Sequence, residues 1–244
     1  MVSNSLSQEY FNVLNSLDVM YLDKISPGGK RPDGLSGLFL TNIFDEYHQA
    51  KNKIMIVGSE TAEWNVLKKD QEFTDLKGYI EKSMKKHLTF FKKQLEINNS
   101  RGYAFHNFTR AVANKCGKAG LIYSNLFCFD WRKGSPINCE YFEIIKKYSE
   151  QLLKLQIEIL KPQIIIFANG ITSVPYRREF FPISGENKVC MNGRDYSSAG
   201  IANHHLWEFD LYENIRCFRI HHPSARAKEA VKARKYLISL LPSA

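Results

Sequence analysis

Four short segments of the 244-residue chain hold side chains suited to chemistry: Gly58-Ser59-Glu60-Thr61-Ala62-Glu63-Trp64, Asn125-Leu126, Asn169-Gly170 and His221-His222-Pro223-Ser224. They offer a glycine turn, a carboxylate, two amides and a histidine pair. Such a set can stabilise charge developing on a bound molecule and read its polar edge. The first segment has neither G-x-G-x-x-G nor G-x-x-x-x-G-K-[ST], which argues against dinucleotide binding of the Rossmann kind and against a P-loop.

Each segment follows a short run rich in β-branched residues. Residues 53–57 (KIMIV), Leu121–Asn125 (LIYSN), 163–168 (QIIIFA) and Ile215–Ile220 (IRCFRI) have the character of strands buried on both faces, for which parallel pairing is expected. Helical patterns separate them. Over 141–160 the residues Tyr141, Ile145, Tyr148, Leu152, Leu155 and Ile159 recur at spacings of four and three, and Pro162 stops the pattern. Further helices are expected over 75–96, 103–116 and 226–241. Strand and helix alternate, so the expected fold is α/β, a three-layer α/β/α sandwich around a central, mostly parallel four-stranded sheet with right-handed crossovers. Ligands of such folds sit beyond the carboxyl ends of the strands, where the four segments fall.

Composition narrows the class. Hydrophobic residues at 44% and charged residues at 24% exclude wholesale disorder or a fibrous repeat. Lys and Arg number 34 against 25 Asp and Glu, and the resulting +9 favours a polyanionic partner such as nucleic acid. The opening MVSNSLSQEYFN lacks a signal-peptide layout, and no apolar run has the roughly 18 residues of a membrane span, so a cytoplasmic protein with no membrane partner is expected. Cys116, Cys128, Cys139, Cys190 and Cys217 show no C-x-x-C pair and are expected to be reduced, mostly buried thiols. No repeat or linker marks a boundary, so residues 1–244 are expected to form one monomeric domain. Residues 1–50, with Pro27-Gly28-Gly29 and Arg31-Pro32-Asp33-Gly34, are expected to pack as helices and a loop over the sheet edge, and residues 194–207 as a specificity loop.

In order and context, these motifs resemble those of the uracil-DNA glycosylase superfamily. Gly58-Ser59-Glu60-Thr61-Ala62 stands where that superfamily's best-known branch has G-Q-D-P-Y, and His222-Pro223-Ser224 matches its H-P-S. Asn125 ends a middle strand, as its base-reading asparagine does, and Gly102-Tyr103-Ala104-Phe105 is similar to the segment with its stacking phenylalanine. The resemblance implies a monofunctional DNA glycosylase that flips a pyrimidine out of the helix and hydrolyses its N-glycosidic bond, leaving an abasic site. It makes Glu60 the group that orients water and stabilises the sugar cation, with Glu63 as competitor, and His222 the donor to the departing base, with His221 in reserve. Gly58, Ser59, Ala62, Phe105 and Asn125 would bind the base. Ser224, Arg226 and Lys228 would touch DNA, single- or double-stranded, with Arg226 filling the vacated stack.

The departures from the pattern are informative. Ala62 replaces a tyrosine that rejects thymine, so a pyrimidine with a C5 substituent, even a hypermodified base of the phage type, is expected to fit unless Trp64 or Tyr103 refills the space. Repair and defence against foreign genomes are both open. No cofactor, iron–sulfur cluster or metal is expected, although His204-His205 and His221-His222 are noted. A non-catalytic reader of modified bases and a metal-dependent nuclease are the alternative readings.

Overall fold

A computed structural model describes residues 2–22, 33–67 and 73–244; Pro27-Gly28-Gly29 and Arg31-Pro32 lie outside the described residues. The chain divides into two compact units. The first comprises Met1–Asn42, Ser59–Phe90 and Ser124–Lys161, and the second comprises Ile43–Gly58, Phe91–Tyr123 and Pro162–Ala244.

The second unit is built on the sheet. Its strands are β1 (Ile54–Gly58), β2 (Leu121–Asn125, whose last two residues belong to the first unit), β3 (Ile164–Phe167), β4 (Cys190–Arg194), β5 (Leu206–Leu211) and β6 (Ile215–Ile220), in the order β2-β1-β3-β6-β5-β4. β1 pairs parallel with β3 and β3 with β6, in a register that aligns Val57, Phe167 and Arg219. Every residue of β1 and β3 is buried, which is why both are continuous apolar runs closed by glycine or phenylalanine. The four expected strands are present, the first displaced by one residue. The sheet nevertheless has six strands, not four, because β5 and β4 extend it antiparallel beyond β6. β4 is a polar edge strand (CMNGR) with an irregular register between Met191 and Arg194.

Helices α3 (Ala104–Cys116), α5 (Val174–Phe180) and α6 (Lys228–Leu240) belong to this unit, and α6 packs on β5, β6 and α3. Arg226 precedes α6 rather than starting it. Arg177 of α5 is wholly buried and is held by aromatic faces: its guanidinium carbon lies 5.7, 5.6 and 5.2 Å from the ring centroids of Phe167, Trp207 and Phe209.

The first unit contains α1 (Val2–Leu14), α4 (Phe142–Leu160) and most of α2 (Leu76–Glu96). α1 packs on α4, which Lys161 closes in a left-handed turn before Pro162. The N-terminal segment also runs along α2. Leu38 N–H donates to Tyr79 Oη (3.0 Å), Ser83 Oγ donates to Leu38 O (2.6 Å) and Asn42 N–H donates to His87 Nδ1 (3.0 Å), so residues four apart on one helix face satisfy an extended backbone. All five cysteines are buried free thiols, and no helix among the described residues is long and apolar enough to cross a membrane.

The antiparallel half of the sheet is locked by a buried carboxylate. Glu208 on β5 accepts hydrogen bonds from Arg216 Nε (3.1 Å) and Nη2 (3.0 Å), from Arg194 and from the Tyr196 hydroxyl. Burial pushes this carboxyl up, but the bonds from Arg216, Tyr196 and Arg194 outweigh it and hold it below the ordinary glutamate range. Glu208→Gln should therefore cost about 3 kcal/mol in urea unfolding at pH 7. The contribution of a depressed carboxyl is present above its unfolded-state pKa and fades as pH falls through the folded value. The gap between the two proteins should thus close in strongly acid solution.

Candidate functional site

In the first unit the candidate residues lie on the loop after β1. A single buried carboxylate, Asp130, shapes that loop: its Oδ2 accepts from Thr61 Oγ1 at 2.7 Å and from Trp64 N–H at 3.2 Å, while Phe127 N–H ties down Ser59 O at 2.8 Å. Glu60 is mostly buried, and its Oε2 is closed off with no hydrogen-bond partner among the described residues. Burial raises its pKa above the ordinary glutamate value. A Ser59 hydrogen bond opposes the rise and the charge of Asp130 adds to it. Glu63 differs on each count. It is exposed, has a left-handed backbone (φ 62°) and ion-pairs with Lys133 at 2.8 Å. Ala62 is exposed. Trp64 is buried within the first unit, edge-on to Phe39 and Phe90, so its ring packs a core. Asn125 is buried at the end of β2.

In the second unit, Gly58 ends β1, and Asn169 and His222 follow the carboxyl ends of the neighbouring parallel strands β3 and β6. Asn169 is buried with neither side-chain amide atom hydrogen-bonded among the described residues, and its backbone carbonyl accepts from Ser173 Oγ at 2.9 Å. Gly170 turns the chain at φ +82°, where a Cβ would meet the His222 Cβ at 3.4 Å. His222 Nδ1 lies 2.7 Å from Ser224 Oγ and accepts from Ser224 N–H at 3.3 Å. A ring nitrogen that accepts a backbone N–H carries no proton, so the neutral imidazole has its hydrogen on Nε2. Burial first and the Arg234 guanidinium second lower the His222 pKa, which favours that neutral form.

The Phe105 ring stacks beside this imidazole with centroids 6.1 Å apart and planes 19° from parallel, and Tyr123 lies 5.4 Å from Phe105 on another side. Thus Phe105 and His222, far apart in sequence, share one surface, and Phe105 is only partly buried where Phe108 enters the core. Ser224, Arg226 and Lys228 are exposed, as is Tyr103 at the start of α3. His221 instead joins His204 and His205, with ring centroids 6.3 and 4.9 Å away.

Sequence reasoning missed Asp130, Tyr123 and the role of Ser224 in choosing a tautomer. Asp130 closes the apolar run Leu126–Phe129, a polar residue after a strand-like stretch, and that was its available signal. The chain matches no protein-family model and no curated protein.

Two measurements probe these states. Long-range ¹H–¹⁵N correlation at pH 7 should show the His222 ring protonated on Nε2, and Ser224→Ala should admit the other tautomer. Glu60→Gln should raise the unfolding free energy at neutral pH by about 1 kcal/mol, because it removes an orphaned buried charge. The gain should vanish below the glutamate range, since the penalty of a raised carboxyl appears only above its unfolded-state pKa.

Proposed function

We propose that the protein is a monofunctional DNA glycosylase acting on pyrimidines, with a three-layer α/β/α arrangement of the uracil-DNA glycosylase kind. One observation carries the reading: the His222 ring, whose Nδ1 accepts from Ser224 N–H and so leaves Nε2 as its donor, stacks beside the partly buried Phe105 ring. A hydrogen-bond donor next to an aromatic platform suits a flat heterocycle that gains negative charge.

In the proposed reaction the C1′–N1 bond breaks and its electron pair leaves with the base. The Nε2–H of His222 stabilises the charge that develops on the O2 oxygen. Glu60, ionised, stabilises the cation left on the sugar and directs a water to C1′; the proton the water loses is taken up by the carboxylate or by the departing base. Asn125 pairs with the base edge, Gly58 and Ser59 support its pocket, and Phe105 stacks on it. Ser224, Arg226 and Lys228 contact DNA. No lysine is assigned to a covalent step, so the product is an intact abasic site. The exposed Ala62, with Trp64 packed into the core of the first unit, supports acceptance of C5-substituted pyrimidines. The reading places the enzyme in the cytoplasm, in repair or in defence against modified foreign DNA.

The test is incubation with oligonucleotides carrying uracil, thymine opposite guanine, 5-hydroxymethylcytosine or its glucosylated form, followed by alkali and by mass analysis of the freed base. We expect alkali-labile sites with at least one modified base. Glu60→Gln and His222→Asn should each lose at least about 100-fold in single-turnover rate while DNA affinity stays within a few-fold. The wild-type rate should fall as acid protonates Glu60, at a pH above the ordinary glutamate range. Binding without base release by the wild-type protein would make it a reader, and chelator-sensitive strand cutting would make it a nuclease.

A further inference from the structure

We propose that Arg178, Arg219, His205 and His221 form a binding site for a phosphate oxyanion. These residues lie on α5, on β6 and its carboxyl end, and on the segment leading into β5, all within the second unit. The inference does not depend on base excision.

The first argument is charge. Arg219 is buried, and its two terminal nitrogens donate to the carbonyls of His204 and Asn203 (2.8 Å for the latter). Those contacts pin the loop but do not neutralise the guanidinium. Arg178 is exposed on α5 and repels Arg219, and Arg234 on α6 acts on His221 and His222. None of Arg178, Arg219 and Arg234 has an ion pair among the described residues. A carboxylate, Glu229, acts on His205.

The second argument is unmet hydrogen bonding. The rings of His204, His205 and His221 crowd together, with centroids 4.0, 4.9 and 6.3 Å apart. His205 Nδ1 and His221 Nε2 are closed off from solvent and have no hydrogen-bond partner among the described residues. The rings are not arranged as metal ligands: no group of three His, Cys, Asp or Glu among the described residues is placed to hold a metal ion. Guanidinium groups without a carboxylate partner, beside imidazole nitrogens with no hydrogen-bond partner among the described residues, match the several acceptor oxygens of a tetrahedral anion.

Protons report occupancy. Burial, with the neighbouring imidazoles and Arg219, lowers the pKa of both His205 and His221, so the empty site is mostly neutral at these rings at pH 7. A bound anion reverses that preference. By linkage, anion affinity must then rise as pH falls.

The experiment is NMR of the imidazole resonances of the full-length protein. One arm titrates inorganic phosphate at pH 7 and sulfate, whose charge is constant, between pH 8 and pH 6. Another titrates an unmodified 12-base-pair duplex with and without competing phosphate. We expect saturable shifts of His205 and His221 and sulfate binding at least fivefold tighter at pH 6 than at pH 8. Arg178→Ala should weaken binding at least fivefold with an unchanged thermal midpoint, and Arg178→Lys should restore part of it. The duplex moving the same resonances, in competition with phosphate, identifies the anion as a nucleic-acid phosphate; phosphate acting alone identifies a free anion. No saturable shift in either arm, or wild-type binding by Arg178→Ala, overturns the proposal. Loss of base excision with these shifts intact would remove the glycosylase reading and leave this site standing.

Discussion

The structure depends on one constraint, the parallel hydrogen-bond ladder that aligns Ile56 with Ile166 and Ile166 with Phe218. Neighbouring parallel strands cannot be joined by tight turns, so each connection must leave one end of the sheet and return to the other. Because β1 and β3 are buried along their whole length, their own side chains have no polar task. Polar side chains are thereby left to the ends of these two strands and the residues past them. That is where Glu60, Asn169 and His222 stand, and it explains why the polar residues of interest come in short clusters rather than dispersed along the elements.

Burial then sets the protonation states. It lifts the Glu60 carboxyl and lowers the His222 imidazole, so each group is moved toward its neutral form. The two cases still differ. His222 has its acceptor nitrogen satisfied by Ser224 and keeps one N–H in reserve, a stable donor. Glu60 keeps an oxygen with no partner among the described residues. Natural proteins hold such a residue at a cost in stability, and a cost of this kind is more informative than an exposed charge such as Glu63, whose ion pair with Lys133 is worth little.

The parallel core and its flanking helices were legible because their signals are local and repeated: apolar runs of four to six residues, and the Ile145–Tyr148–Leu152 stripe. β4 and β5 were not. Cys190–Arg194 contains a glycine and an asparagine, Asn192, whose backbone is left-handed, and Leu206–Leu211 places Glu208 and Asp210 among its apolar residues. Their stability comes from a long-range carboxylate–guanidinium network that no sequence window contains. The same reason hid Asp130, whose partners Thr61 and Trp64 are more than sixty residues away. Phe105 sits on a helical spacing shared with Phe108 and Val112, and only its partial burial and its position beside His222 set it apart from those core residues.

The antiparallel strands also sort the arginines of the second unit into two kinds. Arg194 and Arg216 reach Glu208, and Arg194 also reaches Asp210, so their charges are cancelled where they arise. Arg177 is wholly buried and relies on the π faces of Phe167, Trp207 and Phe209, which attract a cation without cancelling it. Arg219 relies on carbonyl dipoles, and Arg178 lies near enough to act on both. A general surplus of lysine and arginine on the surface would leave no such pattern, since exposed cations repel weakly and are screened. Cations kept close together in a partly desolvated setting, one strand from carboxylates that neutralise other arginines, raise the local potential in a directed way. The sign of that potential, and its place beside the carboxyl end of β6, make the approach of a phosphate the event that lowers its energy.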